Sequence, residues 1–144
     1  MKFQVQIPFV ELLGFELLRF DAGESEIAVQ LRDELCNSWH VAHGGVTMTL
    51  LDVAMALAAR SAEGGAANRL GVVTIEMKTS FIRPGLGRIV ATGRLLHRTA
   101  SMAFCDATAV DAEAKIVAHG SGTFKFLKGL PAGGKRIERQ DASD

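Results

Sequence analysis

The chain has 144 residues, 48% of them hydrophobic and 22% charged. That length suits one domain with a proper core, and that composition belongs to a globular chain, not a disordered one. The 16 basic side chains balance 16 acidic ones for a formal net charge of zero, which argues against a general nucleic-acid binder with its excess of Lys and Arg.

Cys36 and Cys105 stand far apart and fit no C-x-x-C pattern, so they read as buried thiols of a reducing compartment. The first residues, Met1 to Gln6, lack the apolar core of a signal peptide. No uninterrupted apolar run reaches roughly 18 residues, the length a membrane span needs. The expectation is a soluble cytoplasmic protein with no membrane or nucleic-acid partner.

In chain order, Pro8 to Gly14 reads as a short helical turn opened by Pro and closed by Gly. Phe15–Asp21 and Glu24–Leu31 follow as a hairpin around Ala22-Gly23. In the second segment Ile27, Val29 and Leu31 share one face and Glu26, Ala28 and Gln30 the other. Asp33 to Val41 is a loop carrying Asn37, Trp39 and His40. From Gly44 to Arg60 the apolar residues stop alternating: Val46, Leu50, Val53 and Leu57 mark one helical face, while Met48, Leu51, Met55, Ala56 and Ala59 fill the others. A helix apolar all round is a buried one. Ser61 to Asn68, with Gly64-Gly65, is expected to end it as a flexible connection.

The remainder reads as strands. Gly71–Phe81 alternates Val73, Ile75, Met77 and Phe81 against Thr74, Glu76, Lys78 and Ser80. Pro84-Gly85 is a turn signal. Arg88–His97, Ser101–Val110 and Lys115–Phe126 follow, joined by short polar links, so the four strands are expected in meander order. Residues 1–127 then form a single domain, and 128–144 a flexible tail with little to bury. Two strands, one buried helix and four strands make an α+β chain, an antiparallel sheet of about five or six strands curled round one long helix.

Two features of the helix point to chemistry. His43-Gly44-Gly45 opens it, where backbone N–H groups lack internal partners and the macrodipole is positive. Such an end can hold the oxyanion of ester or thioester cleavage, although the same glycines also serve a tight join between loop and helix. Asp52 places a carboxylate in the apolar middle, costly unless it is paired or used.

Asn37, five residues, His43-Gly44-Gly45, six residues and Asp52 together resemble the N-x5-HGG-x6-D pattern of the PaaI-like acyl-CoA thioesterases of the hotdog superfamily. "TIEMKTSFIRPG", residues 74–85, is also similar to that family, and the resemblance covers nearly all of residues 9–127. It implies a metal-free thioesterase in which coenzyme A belongs to the substrate and no separate cofactor is used. By that resemblance Asp52 is the catalytic carboxylate, as nucleophile or general base. Gly44 gives a backbone N–H to the thioester oxygen, Asn37 and His43 orient the carbonyl or the attacking water, and Thr74 stands beside the carboxylate. Gly45 adjoins the substrate. His40 departs from the small residue common in relatives.

The spacing adds a point of its own. Gly44 and Asp52 are eight residues apart, about 12 Å along a helix, too far to serve one carbonyl from one rod. Two antiparallel helices from two chains would bring Gly44 of one near Asp52 of the other, so a homodimer with shared sites is expected. The resemblance points the same way and often to a homotetramer.

Arg83, Arg88, Arg98 and Lys128 are candidates for the coenzyme's phosphates, Arg83 and Arg98 foremost. Phe81, Phe104, Met48 and Met55 are candidates for an acyl pocket. His40, His43, His97 and His119 with Asp52 complete no known zinc spacing. The competing readings are a hotdog enoyl-CoA hydratase or dehydratase, whose helix motifs differ, and a non-catalytic acyl-CoA-binding protein.

Overall fold

Residues Gly44–Ser61, rich in Ala and Leu and free of Pro, form one long helix, α2, in a computed structural model that describes residues 1–62 and 70–128. It lies on one face of a six-stranded sheet built from β1 (Glu16–Asp21), β2 (Glu24–Gln30), β3 (Gly71–Phe81), β4 (Arg88–Arg98), β5 (Met102–Val110) and β6 (Ile116–Leu127). The short α1 (Pro8–Leu13) precedes them, with Pro at its start and Gly14 at its end in the left-handed region, φ 73°. The hotdog arrangement implied by the resemblance is the one observed. Most of the expected connection after the helix, Gly64-Gly65 included, lies outside the described residues, as does the expected tail beyond residue 128. No helix among the described residues is long and apolar enough to cross a membrane.

The strand order is β1-β2-β4-β5-β6-β3, antiparallel throughout. The expected four-strand meander therefore holds only for β4-β5-β6. β3 pairs with β6 at the edge, and the chain then crosses the end of the sheet to place β4 beside β2. Alternation tells which side of a strand is buried, not which strand lies next to it. Pro84-Gly85 belongs to this crossing and not to a hairpin turn. The crossing is pinned at each step: Ile82 and Arg83 donate backbone N–H groups to the Val117 carbonyl at 2.8 and 3.1 Å, Gly85 accepts from Ala42 at 2.9 Å, and Gly87 accepts from Leu31 at 2.8 Å.

Small residues let the helix sit close. Ala91, Ala103, Ala107, Ala109 and Ala118 are buried on the inner face of the sheet, under Leu50, Leu51, Ala54 and Met55 of α2. Gly93 lies directly beneath the Ala54 carbonyl, so close that a Cβ there would overlap it. The buried Ser25 hydroxyl donates to the same carbonyl at 2.6 Å and ties helix to sheet. Cys105 is also on this face, where burial pushes its thiol up to about 12.

Two sequence expectations change. The helix is not buried all round within one chain, because Gly45, Met48, Thr49, Asp52, Val53 and Ala56 form a stripe left exposed or half-buried. Along β3 the simple alternation fails at a bulge between Thr74 and Glu76. Before the bulge, Val72 and Thr74 pair with the buried Phe126 and Phe124 and face the helix. After it, Met77 pairs with Gly122 and Thr79 with Gly120, also facing inward. Ile75 is the extra residue and is exposed. A bulge inverts the phase of a strand. Thr74 thereby turns inward, not outward with Glu76 and Lys78.

Gly93→Ala tests the close contact. Backbone cannot retreat as a side-chain tip can, so overpacking here should cost about 2–3 kcal/mol of unfolding free energy. Urea denaturation of the variant reads it; an unchanged midpoint would mean that the helix has room to lift.

Candidate active site

The segment before α2 is a miniature hairpin. His43 N–H donates to the Leu35 carbonyl at 2.9 Å, Cys36 bridges Ala42, and Asn37 N–H donates to the Val41 carbonyl at 2.9 Å. At its tip the Asn37 side-chain Oδ1 accepts from the Trp39 N–H at 2.9 Å and, more weakly, from Val41 at 3.4 Å. An asparagine whose oxygen is held this way turns its other end outward, and Nδ2 has no partner among the described residues. Asn37 is thus both a turn residue and an available donor.

His43 caps the helix: its Nδ1 accepts the Gly45 N–H at 2.8 Å. An accepting Nδ1 leaves the neutral ring's proton on Nε2. The Gly45 N–H, expected to adjoin substrate, is spent on this cap, so what Gly45 offers is the lack of a side chain. The Gly44 N–H has no partner among the described residues, and it stands at the positive end of an 18-residue helix. Gly44, Asn37, Phe81 and Arg83 line one cavity of about 550 Å³, with Trp39 at its edge. The crossing segment, Ile82 to Gly85, forms its wall.

Asp52 lies elsewhere, two turns along the helix on the open stripe. The Thr74 hydroxyl donates to its Oδ1 at 2.6 Å, a contact that exists because the bulge has turned Thr74 inward. Oδ2 has no partner among the described residues. Burial raises the Asp52 pKa above its ordinary 3.8, and the Thr74 hydrogen bond works against that rise. The carboxyl group thus sits in a partly dry setting, with one oxygen held by Thr74 and the other without a partner among the described residues. Neither Asp52 nor Thr74 lines the cavity at Gly44. Within one chain the Asp52–Thr74 pair and the Gly44 cavity are two separate places.

The other candidates divide. Arg83 lines the cavity, and its guanidinium has no acidic partner among the described residues. Arg98 stacks 4.2 Å from the Phe126 ring and donates from Nε to the Thr99 carbonyl at 3.2 Å. Arg83 bonds at Val117 and Arg98 sits at Phe126, opposite ends of β6 and about 30 Å apart at 3.3 Å per residue. Within one chain they do not meet. Arg88 is engaged by Glu16 at 2.9 Å, and Lys128 is exposed just beyond β6.

Phe81 touches the Gly44 position, and Met48 is on the open stripe. Met55 is core, and Phe104 stacks on His97 across the outer sheet face. His119 contacts the Thr108 hydroxyl at 3.1 Å on that same outer face, away from the site. No three His, Cys, Asp or Glu side chains among the described residues gather to hold a metal ion. Trp39 is the cavity residue that the sequence reading passed over, although a lone Trp in a short polar loop was a visible signal.

A family model of the thioesterase superfamily matches residues 40–118, more than half of the chain, with Gly44, Asp52, Thr74 and Arg83 inside the match and Asn37 and Trp39 outside it. The chain belongs to the thioesterase superfamily. It is 31% identical over 108 residues to the medium/long-chain acyl-CoA thioesterase YigI of Escherichia coli, covering 66% of this chain and 70% of YigI. The solved structure of the conserved protein PA5202 from Pseudomonas aeruginosa is 31% identical, with a TM-score of 0.80 over 86% of this chain and 97% of that one. The PaaI protein from the phenylacetic acid degradation operon of E. coli shares the fold: TM-score 0.75, 23% identity, 85% of this chain and 86% of PaaI.

Asp52→Asn keeps the shape and can still accept from Thr74. Because the folded pKa of Asp52 is raised, wild type takes up a proton on this group more readily when folded. Its contribution to stability is fully present below the unfolded value and is lost as pH rises through the folded one. At neutral pH the Asn variant of this superfamily member should be as stable as wild type or more so. As pH falls into the acid range, wild type should gain on the variant. Paired melting curves across pH measure this, and a variant clearly less stable at neutral pH would make Asp52 a structural group.

Proposed function

We propose that the protein is an acyl-CoA thioesterase that cleaves an acyl- or aryl-acyl-CoA to free acid and coenzyme A in sites shared between two copies of the chain. The observation that carries the reading is the split site. An available N–H at a helix N-terminus and a half-buried, Thr-held carboxylate occupy the same helix, about 12 Å apart. Each is one half of what thioester hydrolysis needs. The open stripe of α2, apolar at Met48, Val53 and Ala56 around Asp52, is suited to packing against its own copy, as is the unpaired edge of β3 with Ile75 exposed. An antiparallel pairing would set Asp52 and Thr74 of one copy opposite Gly44 and Asn37 of its partner. The superfamily membership and the likeness to YigI support the acyl-CoA substrate class.

In that arrangement the thioester oxygen accepts from the Gly44 N–H, with the free Asn37 Nδ2 near enough to orient carbonyl or water. Asp52, ionised, takes a proton from water as the water oxygen bonds to the thioester carbon. Negative charge collects on the carbonyl oxygen, where the helix end stabilises it. When the tetrahedral species collapses, the carbon–sulfur bond breaks and the Asp52 proton passes to the departing thiolate. Attack by Asp52 itself would instead break the carbon–sulfur bond, release the coenzyme as its thiolate and leave a mixed anhydride that water then opens to two carboxyl groups; the free Oδ2 serves either route. Thr74 holds Oδ1 and so aims Oδ2. The pair of copies can associate further into a tetramer, and the composition suits a cytoplasmic enzyme.

Two variants test the roles. Asp52→Asn should lower kcat for acyl-CoA hydrolysis at least about a hundredfold, the scale of general-base loss, with KM changed far less. Asn37→Asp keeps the oxygen that holds the hairpin but exchanges the Nδ2 donor for an acceptor that carries negative charge, so it should fold normally and lose kcat. The acid limb of the wild-type kcat profile should lie above the ordinary carboxylate value, because the rate falls as Asp52 protonates. Near wild-type kcat in folded Asp52→Asn would reject the mechanism.

A further inference from the structure

The mechanism leaves Trp39 and the Arg83 side chain unused, and both are exposed residues that line the Gly44 cavity. Trp39 is 83% exposed, a costly way to display the largest apolar side chain. Its position is not slack. Asn37 Oδ1 holds its N–H, Asn37 O holds the next one, and His40 adopts φ 60°, a left-handed conformation that costs a non-glycine residue energy. The indole is therefore held outward on a pinned turn. Arg83 is the one charged residue lining the cavity, its backbone fixed on Val117 and its guanidinium without an acidic partner among the described residues. A flat aromatic surface and a guanidinium on one cavity can together recognise a base that carries phosphate.

Distance selects the part of the substrate. From Val41 to Gly44 the hairpin arm advances about 10 Å at 3.3 Å per residue, and the tip carries Trp39 further still. An aryl group attached to a carbonyl held at Gly44 spans less than this backbone separation, whereas a pantetheine arm spans it and more. We propose that the Trp39–Arg83 mouth holds the nucleotide end of the coenzyme, with the adenine stacked on the indole and a phosphate paired with the guanidinium. This rests on the acyl-CoA reading above and adds to it a positioning residue on the hairpin tip.

Trp39 is the only tryptophan, and the chain has no tyrosine, so tryptophan-selective emission of the intact protein reports this one place. Adenosine 3′,5′-bisphosphate, which has neither thioester nor acyl group, should quench it saturably, and Arg83→Gln should weaken that binding. In kinetics, Trp39→Leu should raise KM for an acyl-CoA at least about fivefold more than KM for the same acyl group on N-acetylcysteamine, the scale of one lost base–aromatic stack. If the bisphosphate leaves emission unchanged while acyl-CoA is hydrolysed, the nucleotide mouth is overturned and the thioesterase reading stands. If it quenches but neither thioester is cleaved, the mouth stands and the reaction falls. Equal KM shifts on both thioesters would assign Trp39 to the acyl group. Emission already blue-shifted in the free protein and unresponsive to the bisphosphate would place a second copy over it. Either result overturns the proposal.

Discussion

A helix is a stiff ruler, and here it separates two groups that one reaction would use together. Gly44 begins α2 and Asp52 stands two turns later on its open stripe, so their spacing of about 12 Å is set by helical geometry, not by loop conformation. No side-chain rotation closes that gap within one chain. Everything proposed for the site follows from it. In the proposed enzyme the oxyanion end and the carboxylate come together across two copies, with the apolar stripe around Asp52 as the surface on which they pack. The same packing would dry the carboxylate further and sharpen the rise in its pKa.

The fold spends its smallest residues on holding that ruler in place. Ala91, Gly93, Ala107, Ala118, Gly120 and Gly122 line the inner face of the sheet, so α2 lies close enough for Ser25 to bond the Ala54 carbonyl. A helix fixed so tightly sets the direction in which Asp52 points. The bulge at Ile75 then supplies its partner, because only the inverted phase of β3 turns Thr74 towards the helix. At the other end the crossing segment from Ile82 to Gly87 is tied to both the hairpin and β6, which puts Arg83 in the lining of the cavity that Gly44 also lines. Two departures from regular strand structure thus furnish the two halves of the proposed site.

Much of this was legible in the chain itself. Loss of alternation after Gly44 marked the helix, and the strands fall within a residue or so of their expected bounds, because patterning is local and strong there. The candidates Asn37, His43, Gly44 and Asp52 came from a spacing that resembles the family's pattern, and their roles from that resemblance. What escaped was non-local. The place of β3 at the sheet edge depends on which strand captures it, and the bulge at Ile75 looks like one more step of a regular alternation. The open stripe of α2 was hidden because its Met, Val and Ala are as apolar as the buried faces. Gly45 was assigned to substrate by adjacency, and only the geometry of His43 shows its N–H already taken. Trp39 was seen in its loop but given no task, since exposure cannot be read from a residue name.

The central claim is that each site draws on two chains, and mixed assemblies test it most directly. Chains carrying Asp52→Asn retain Asn37 and Gly44, while chains carrying Asn37→Asp retain Asp52 and Thr74. Co-refolded with both variants present, they would form mixed dimers holding one site with every group intact and one with two lesions. The account predicts acyl-CoA hydrolysis well above that of either variant alone, rising with the mixed fraction isolated by differential tagging. Mixed dimers no more active than their parents would contradict it and would place the whole reaction within a single chain.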